Sequence, residues 1–160
     1  PMGYSLAASV GAYFGSKNNK VYALIGDGSV PMNVQELETI KNYNINTIII
    51  VLNNQGYGLI KQTQETWLKS IYAGTDKSSG LSLPDNTKIA KSYGIKSFVV
   101  RNNQDVDKNL KKILVSKGPV LVDILIDPKS RVKPKIEYGK PLHDMYPYID
   151  RVKLNQIMKK

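Results

Sequence analysis

The sequence predicts an α/β protein: a doubly wound parallel sheet with helices on both faces. Three observations lead to this prediction. Short apolar runs rich in β-branched residues recur along the chain, segments with helical spacing separate them, and glycine or polar residues end most of the runs. Alternating strands and helices build parallel sheets, and the crossovers between parallel strands are right-handed.

Composition bounds the function before any motif is considered. With 160 residues, of which 41% are hydrophobic, the chain forms one domain with a real core. It has no cysteine, which excludes disulfides and thiol chemistry and fits a reducing, cytoplasmic location. No run approaches the roughly 18 apolar residues of a membrane span. The net charge is +10, but the lysines are dispersed and not interleaved with aromatic residues, so we expect no nucleic-acid partner.

The first half of the chain contains a helix followed by a strand–helix–strand unit. Residues 3–14 are small and apolar with one helical face, and residues 21–25 form a short buried strand. Residues 33–43 have helical spacing, with Asn33 as the expected N-cap and Glu36 three residues later. Residues 47–52 are almost all β-branched, which predicts a strand covered on both faces.

The second half continues the alternation and then changes character. Its expected elements are helices at 57–67, 85–93 and 104–116, an irregular loop at 71–83, and strands at 96–100 and 120–126. We therefore assign residues 1–127 to the α/β domain. Residues 128–160 are rich in lysine and proline and predict an extension that wraps the domain or a neighbouring subunit. His143 beside Asp144 allows an acid–base role, but a lone histidine in a loop is more often structural or solvated.

Two polar residues follow neighbouring strands of the predicted sheet. Asp27 comes after the strand at 21–25, and Asn54 after the strand at 47–52. Parallel strands end at the same edge of a sheet, where open α/β sheets bind ligands, so the two side chains can meet. A carboxylate, an amide oxygen and a backbone carbonyl suit Mg²⁺. Gly28 and Ser29 would add backbone N–H groups near a helix start, a favourable place for a diphosphate.

The spacing of these motifs resembles that of the thiamine diphosphate enzymes. Gly-Asp-Gly alone is an ordinary turn sequence, but here 24 residues separate it from Asn-Asn. The stretches that carry the resemblance are Gly26-Asp-Gly-Ser29, Gln35-Glu-Leu-Glu-Thr39 and Asn53-Asn-Gln-Gly-Tyr-Gly58. They are typical of the acetolactate-synthase-like branch, which includes pyruvate oxidases and 2-keto acid decarboxylases. The match corresponds to the C-terminal, thiamine diphosphate-binding domain of these enzymes, incomplete at its N-terminus.

The resemblance implies roles for individual residues. The cofactor-binding residues would be Met2, Gly26, Asp27, Gly28, Ser29, Asn54, Gly56, Tyr57 and Gly58. Of these, Asp27 and Asn54 would ligate Mg²⁺ through their side chains and Gly56 through its carbonyl, while Met2 would lie beneath the bent cofactor. Leu59, Ile60 and Thr63 would line the substrate pocket. Acetolactate synthases that select their acceptor carry tryptophan at the position of Thr63, so this chain departs from them there.

The activity that the resemblance implies is decarboxylation of a 2-keto acid, with pyruvate expected, and transfer of the two-carbon unit to an acceptor carbonyl. Thiamine diphosphate and Mg²⁺ are the implied cofactors, and FAD would bind through an absent domain if it is used. The chain lacks an initiator methionine, and we expect a fragment of a larger, dimeric or tetrameric enzyme. No catalytic residue is assigned to this fragment, since the activating glutamate belongs to another domain, and we expect it to be inactive alone.

Three alternatives remain open at this point. Within the same family, the chain could come from a simple 2-keto acid decarboxylase or from a carboligase of a surface-sugar pathway. The tail Pro-Leu-His-Asp-Met-Tyr-Pro, residues 141–147, resembles relatives found with surface-sugar biosynthesis. Outside the family, the same site would suit a non-catalytic α/β module that binds Mg²⁺ and a phosphate ligand.

Overall fold

The computed structural model describes residues 2–159, which form two compact units, one ending at Ser130 and one beginning at Arg131. The first unit holds a sheet of four parallel strands, β1 to β4, and five helices, α1 to α5. The strands are β1 (Val21–Gly26), β2 (Thr47–Asn53), β3 (Lys96–Val100) and β4 (Val120–Leu125). The helices are α1 (Tyr4–Gly15), α2 (Glu36–Asn42), α3 (Gly58–Trp67), α4 (Asn86–Ser92) and α5 (Asn103–Leu114).

The sheet has the strand order β1-β2-β4-β3, and all three pairings are parallel. Strand β4 therefore lies between β2 and β3 although it comes last in the chain. The register sets Gly26 of β1 beside Leu52 of β2, and Asn53 of β2 beside Leu125 of β4. The carboxyl ends of β1, β2 and β4 consequently meet at one edge. The predicted α/β fold with a parallel sheet is confirmed.

Helices α1, α2 and α4 pack on one face of the sheet. Their buried residues include Leu6, Ile40 and Ala90, which join Ile49 and Leu121 of the sheet in the larger apolar core. Strand β2 contributes to both faces of the sheet: its Ile49 and Val51 belong to this core, and its Ile48 belongs to a second core on the opposite face. The predicted both-face burial of this strand is therefore observed.

Helix α5 covers the other face over β3 and β4. Its Ile113 packs into a second core with Ile48 and Val122. On this same face β1 is open: Tyr22 is 51% and Leu24 59% exposed. Strand residues alternate between the two faces, so the buried Ala23 and Ile25 lie on the opposite face, where Ile25 joins the first core. An apolar strip on the sheet thus remains in contact with solvent.

The predicted N-cap Asn33 is wrong. Residues Val30–Asn33 form a 3-10 turn, and α2 begins only at Glu36. The Asn33 side chain instead donates to the carbonyl of Gly3 at 2.9 Å, just before α1. Gly3 has φ 80°, and a Cβ there would lie 2.9 Å from Cβ of Met32. The tertiary contact between the start of α1 and the segment that leads into α2 therefore replaces the local N-cap.

The irregular segment 71–83 is organised around one polar turn. Asp76 caps the 3-10 turn Lys77–Ser79 by accepting from the Ser79 backbone N–H, and the Ser79 side chain reciprocates in a capping box. The Thr75 side chain is buried and bonds to Gln64 of α3 at 3.2 Å. The loop is therefore tied to the helix that precedes it.

The second unit contains a short antiparallel pair and one helix. Strand β5 (Lys135–Ile136) pairs with β6 (Met145–Tyr146), and α6 (Arg151–Met158) follows, with Asp150 accepting from the backbone N–H of Lys153 at 3.0 Å. Asp144, the neighbour of His143, forms an ion pair with Arg151. In the described residues 2–159, no helix is long and apolar enough to cross a membrane.

Candidate cofactor and metal site

Asp27 and Asn54 lie where β1 and β2 end. The backbone N–H of Asp27 donates to Leu52 at 3.3 Å, which prolongs the strand pairing by one residue and fixes the direction in which the chain leaves β1. The loop from Asn53 to Gly58 then folds over Asp27. Asp27 and Asn54 thus lie at the same edge of the sheet, as the sequence predicted.

The Asp27 carboxylate is 3% exposed and is held by backbone donors. Its Oδ1 accepts from Gly28 at 2.9 Å and its Oδ2 from Gly56 at 3.1 Å. Burial raises the pKa of Asp27 above its ordinary value, more than the backbone N–H groups of Gly28, Gly56 and Gln55 lower it, and the negative charge of Asp123 adds to the increase. A cation beside this carboxylate would relieve that cost.

The Asn54 amide completes a set of three polar atoms. One end of the amide lies 2.7 Å from the carbonyl oxygen of Gly56 and 3.3 Å from Oδ1 of Asp27. With nitrogen at that end, the amide donates to both oxygens and the set is closed by hydrogen bonds. With oxygen there, three oxygens converge and none can donate, which is the arrangement a cation requires. Adjacent ligands of an octahedral Mg²⁺ lie about 3 Å apart, given metal–oxygen distances of about 2.1 Å.

This donor set fits Mg²⁺ better than a metal that needs several acidic or histidine ligands. Within residues 2–159, no group of three His, Cys, Asp or Glu side chains is placed to hold a metal. Mg²⁺ is commonly bound through one or two carboxylates and keeps positions for water and phosphate oxygens. One carboxylate, one amide and one carbonyl meet that description.

Three glycines in the site have no room for a side chain. A Cβ on Gly28 would lie 2.3 Å from the Tyr57 ring, one on Gly58 would lie 2.2 Å from the Asn54 amide, and one on Gly56 would lie 2.2 Å from the carbonyl oxygen of Thr75. The loop can approach Asp27 and the 71–83 segment this closely only because these positions are glycine.

One cavity of about 300 Å³ brings the predicted cofactor residues together. Its lining includes all of Met2, Gly26, Asp27, Gly28, Ser29, Asn54, Gly56, Tyr57 and Gly58. The predicted substrate residues Leu59 and Ile60 also line it, with Leu52 and Ile126. Thr63 lies one helical turn further along α3, where it is exposed and its hydroxyl donates to the Leu59 carbonyl at 3.0 Å.

The expected free backbone donors at Gly28 and Ser29 are not free. The Gly28 N–H donates to Asp27, and the Ser29 N–H donates to the Gly26 carbonyl at 2.9 Å. Both N–H groups are used inside the turn in this structure, so their donation to a diphosphate stays a prediction. The Ser29 hydroxyl makes no capping hydrogen bond to the following 3-10 turn, so it remains the suitable donor at this position.

Sequence reasoning missed Asp123, which lies in β4 beside the loop. Nδ2 of Asn53 donates to both carboxylate oxygens of Asp123, at 3.0 and 3.2 Å, and Oδ1 of Asn53 accepts from the Gln55 backbone at 3.1 Å. Burial raises the pKa of Asp123, while the amides of Asn53 and Asn86 lower it. An acidic residue in the middle of an otherwise apolar strand was the available signal.

A second missed contact holds the loop from the opposite side. Gly56 forms an antiparallel bridge with Asp76, and the Tyr57 N–H donates to the Thr75 carbonyl at 2.8 Å. Asp76 forms an ion pair with Lys61 of α3, and the Lys61 side-chain hydrogen bond holds the pKa of Asp76 well below its usual range. No local sequence pattern joins residues 56 and 76, so this contact depends on the tertiary fold.

A known protein family matches most of the chain. The family described as "Thiamine pyrophosphate enzyme, C-terminal TPP binding domain" matches residues 1–124. That range contains the four parallel strands up to Ile124, and it contains every residue of the candidate site except Ile126.

Similar proteins include acetolactate synthases and one solved decarboxylase. The acetolactate synthase large subunit of Cyanidium caldarium is 34% identical over 139 residues, which is 87% of this chain and 23% of that protein. The mitochondrial acetolactate synthase of Schizosaccharomyces pombe is 34% identical over 142 residues, 89% of this chain and 21% of that protein. The thiamine diphosphate-dependent 4-hydroxybenzoylformate decarboxylase of Rhodococcus jostii RHA1 superposes with a TM-score of 0.69 at 29% identity, over 79% of this chain and 23% of that one. The chain thus spans under a quarter of the length of these relatives.

Proposed function

The chain belongs to the thiamine pyrophosphate enzymes, as their C-terminal TPP-binding domain, and from that premise we propose that its sheet-edge cavity binds Mg²⁺ and the diphosphate of thiamine diphosphate. The observation that carries the proposal is the convergence of Asp27, Asn54 and the Gly56 carbonyl at the wall of this cavity. A buried carboxylate with a raised pKa beside an amide that can present its oxygen supports a cation there.

Each part of the cavity has a proposed role. Asp27 and Asn54 ligate Mg²⁺ through side-chain oxygens and Gly56 through its carbonyl, while the Ser29 hydroxyl donates to a diphosphate oxygen. The apolar side chains of Met2 and Leu59, on the cavity wall, exclude water and support the organic part of the ligand. When bound, thiamine diphosphate supplies the carbanion chemistry and stores the electrons during decarboxylation, and the protein supplies position and charge.

For the intact enzyme we propose decarboxylation of a 2-keto acid, with pyruvate as the substrate and transfer of the two-carbon unit to an acceptor carbonyl. The acetolactate synthases among the relatives support the transfer step. Decarboxylation without transfer is the second candidate, favoured by the similarity to the Rhodococcus decarboxylase and by threonine instead of tryptophan at position 63. The proposal includes a cytoplasmic homo-oligomer, dimeric or tetrameric, with any FAD site outside this chain.

A magnesium-dependent thermal-shift experiment tests the binding proposal. Ligand at about 100 times its Kd stabilises the folded chain by about 2.7 kcal/mol, which corresponds to a rise of roughly 5–10 °C in Tm for a domain of this size. We expect this rise with thiamine diphosphate plus Mg²⁺ and not with either alone.

ADP plus Mg²⁺ is the comparison ligand, and two variants are the controls. Asp27→Ala should abolish the shift, because it removes the only carboxylate of the proposed metal site. Asp105→Asn should keep it: Asp105 accepts from the Arg101 backbone at 2.9 Å at the start of α5, away from the cavity. An equal rise with ADP would support the non-catalytic phosphate-binding module instead, and no rise with thiamine diphosphate would contradict the proposal.

A further inference from the structure

Asp123 is a buried charge that the binding proposal does not use. It is 6% exposed and lies within β4, whose other positions in the sequence Val-Leu-Val-Asp-Ile-Leu are apolar. A buried carboxylate is costly unless hydrogen bonds compensate it. A central strand of this kind would be more stable with an apolar residue, so the acidic side chain requires a reason in its contacts.

The contacts of Asp123 run towards the candidate metal site. Both carboxylate oxygens accept from Nδ2 of Asn53, at 3.0 and 3.2 Å. This fixes which end of the Asn53 amide faces the sheet, so Oδ1 points along the loop and accepts from the Gln55 backbone N–H at 3.1 Å. The amide of the buried Asn86 also lowers the pKa of Asp123, and the Oδ1 of Asn86 has no partner.

Gln55 is the residue at which the loop reverses towards Asp27. It has φ 63°, a left-handed conformation that an ordinary side chain adopts only where the surroundings hold it, at a cost on the order of 1 kcal/mol or more. The next residue, Gly56, donates its N–H to Asp27 and directs its carbonyl to Asn54. The hydrogen bond that Gln55 N–H donates to Asn53 therefore sets the position of two of the three proposed metal ligands, the Asn54 side chain and the Gly56 carbonyl.

We propose that Asp123 is a positioning residue for the metal site: by clamping the Asn53 amide it holds the Asn53–Gly56 turn in the form that presents the Asn54 side chain and the Gly56 carbonyl to Mg²⁺. This inference rests on the proposed function. It assigns the first asparagine of the Asn-Asn pair a role distinct from that of the second, since Asn53 orients the turn and Asn54 ligates. Outer partners of this kind typically change metal affinity by about 10- to 100-fold when they are removed.

The inference predicts different outcomes for two substitutions at the same position. Asp123→Ala removes both acceptors, so the Asn53 amide is free to turn and the Gln55 N–H loses its partner. Asp123→Asn keeps one acceptor oxygen for Asn53. Its new amide nitrogen would face Asn86, whose unpartnered Oδ1 can accept after rotation of that amide. The asparagine variant should therefore retain the turn.

The test is a titration of the full chain with Mn²⁺ in the presence of thiamine diphosphate, with free Mn²⁺ read by its paramagnetic resonance. We expect Asp123→Ala and Asn53→Ala to weaken Mn²⁺ binding by about 10-fold or more, and Asp123→Asn to bind within about threefold of wild type. Asn102→Ala is the matched control, because it removes a side-chain hydrogen bond of 3.0 Å to Asp105 at the start of α5 and does not touch the loop. Tm is measured for every variant.

The outcomes separate this inference from the proposal beneath it. If wild type does not bind Mn²⁺, or Asp27→Ala binds it equally well, the proposed function fails and the inference with it. If Asp27→Ala abolishes binding while Asn53→Ala and Asp123→Ala bind like wild type, only the inference is overturned. If Asp123→Ala does not fold, Asn53→Ala decides alone. Loss of affinity in all variants in proportion to Tm, including Asn102→Ala, would also overturn it.

Discussion

At the scale of single residues, the site is built around a carboxylate that the fold keeps from water. Asp27 accepts two backbone hydrogen bonds, at 2.9 and 3.1 Å, yet the net effect of its surroundings is to raise its pKa. Hydrogen bonds from neutral amides do not offset the loss of hydration together with the negative charge of Asp123. The metal-free chain therefore carries an electrostatic cost that the proposed Mg²⁺ would relieve.

This cost predicts how stability depends on pH in the metal-free chain. Because the folded pKa of Asp27 is raised above the ordinary value of 3.8, the folded state binds this proton more readily than the unfolded state. The contribution of Asp27 to stability therefore falls as pH rises from about 4 through its folded pKa, and then levels off. Asp27→Asn lacks this titration.

We accordingly expect the Tm of Asp27→Asn, relative to wild type in EDTA, to shift in favour of the variant as pH is raised from about 4 to about 7. The substitution also removes one of the two acceptor oxygens, which changes the difference in Tm between the two proteins by an amount that does not depend on pH. Saturating Mg²⁺ and thiamine diphosphate should stabilise wild type alone at neutral pH. A difference in Tm that stays constant, or that moves towards wild type with rising pH in EDTA, would refute the assignment of a raised pKa.

At the scale of elements, the loop from Asn53 to Gly58 depends on its close contact with the 71–83 segment. A Cβ on Gly56 would lie 2.2 Å from the Thr75 carbonyl oxygen, which is backbone and cannot rotate away. We expect Gly56→Ala to lower stability by about 1–3 kcal/mol, the usual cost of overpacking, and to weaken metal binding because the Gly56 carbonyl must move.

Gly11 provides the control for this substitution. It lies in α1, and a Cβ there would meet nothing within 4 Å. Alanine in a helix interior is favoured over glycine by roughly 0.5–1 kcal/mol, so Gly11→Ala should raise Tm slightly and leave metal binding unchanged. Urea unfolding of both variants gives the comparison. Equal stability of Gly56→Ala and wild type would show that the loop can separate from Thr75 without cost.

The elements also show what the sequence could predict. Each of the four strands of the sheet was readable from its own β-branched or apolar run, as was the meeting of Asp27 and Asn54, because a strand–helix–strand unit fixes which ends are neighbours. The strand order could not be predicted from the sequence. Strand β4 lies between β2 and β3, and this position depends on how the helices pack on both faces of the sheet. The role of Asp123 follows from that insertion, so it was missed. Asn33 was misassigned because its tertiary contact with Gly3 prevails over a local capping preference.

At the scale of the whole chain, the open face of β1 leaves an apolar strip of the sheet in contact with solvent. Strand β1 lies at the edge of the sheet, and its Leu24 is 59% exposed beside Tyr22. Exposed apolar strips and unpaired strand edges favour association. We expect the chain to self-associate in sedimentation experiments, and we expect Leu24→Lys to reduce this association with a change in stability within about 0.5 kcal/mol.

The control for the Leu24 substitution is a lysine substitution of another exposed apolar residue, away from β1. Ile71 is 70% exposed in the segment after α3, so Ile71→Lys adds the same charge without altering the face of β1. If both substitutions reduce association equally, net charge rather than the strip is responsible, and a wild-type chain that stays monomeric would remove the basis of the prediction.

The chain should bind its ligands and yet turn over no substrate. Among the described residues that line the cavity, Asp27 is the one carboxylate, and it is committed to the proposed metal. Proton transfer in catalysis needs a group with a suitable pKa within hydrogen-bond reach of the reacting atoms, and the described part of this cavity provides no carboxylate or histidine for that purpose. We therefore expect no CO₂ release from pyruvate by the purified chain with saturating thiamine diphosphate and Mg²⁺, under conditions in which the thermal shift shows the ligands bound. Turnover that Asp27→Ala abolishes would show that the residues of this chain suffice for catalysis, and the proposed division between a binding part and an activating part would be wrong.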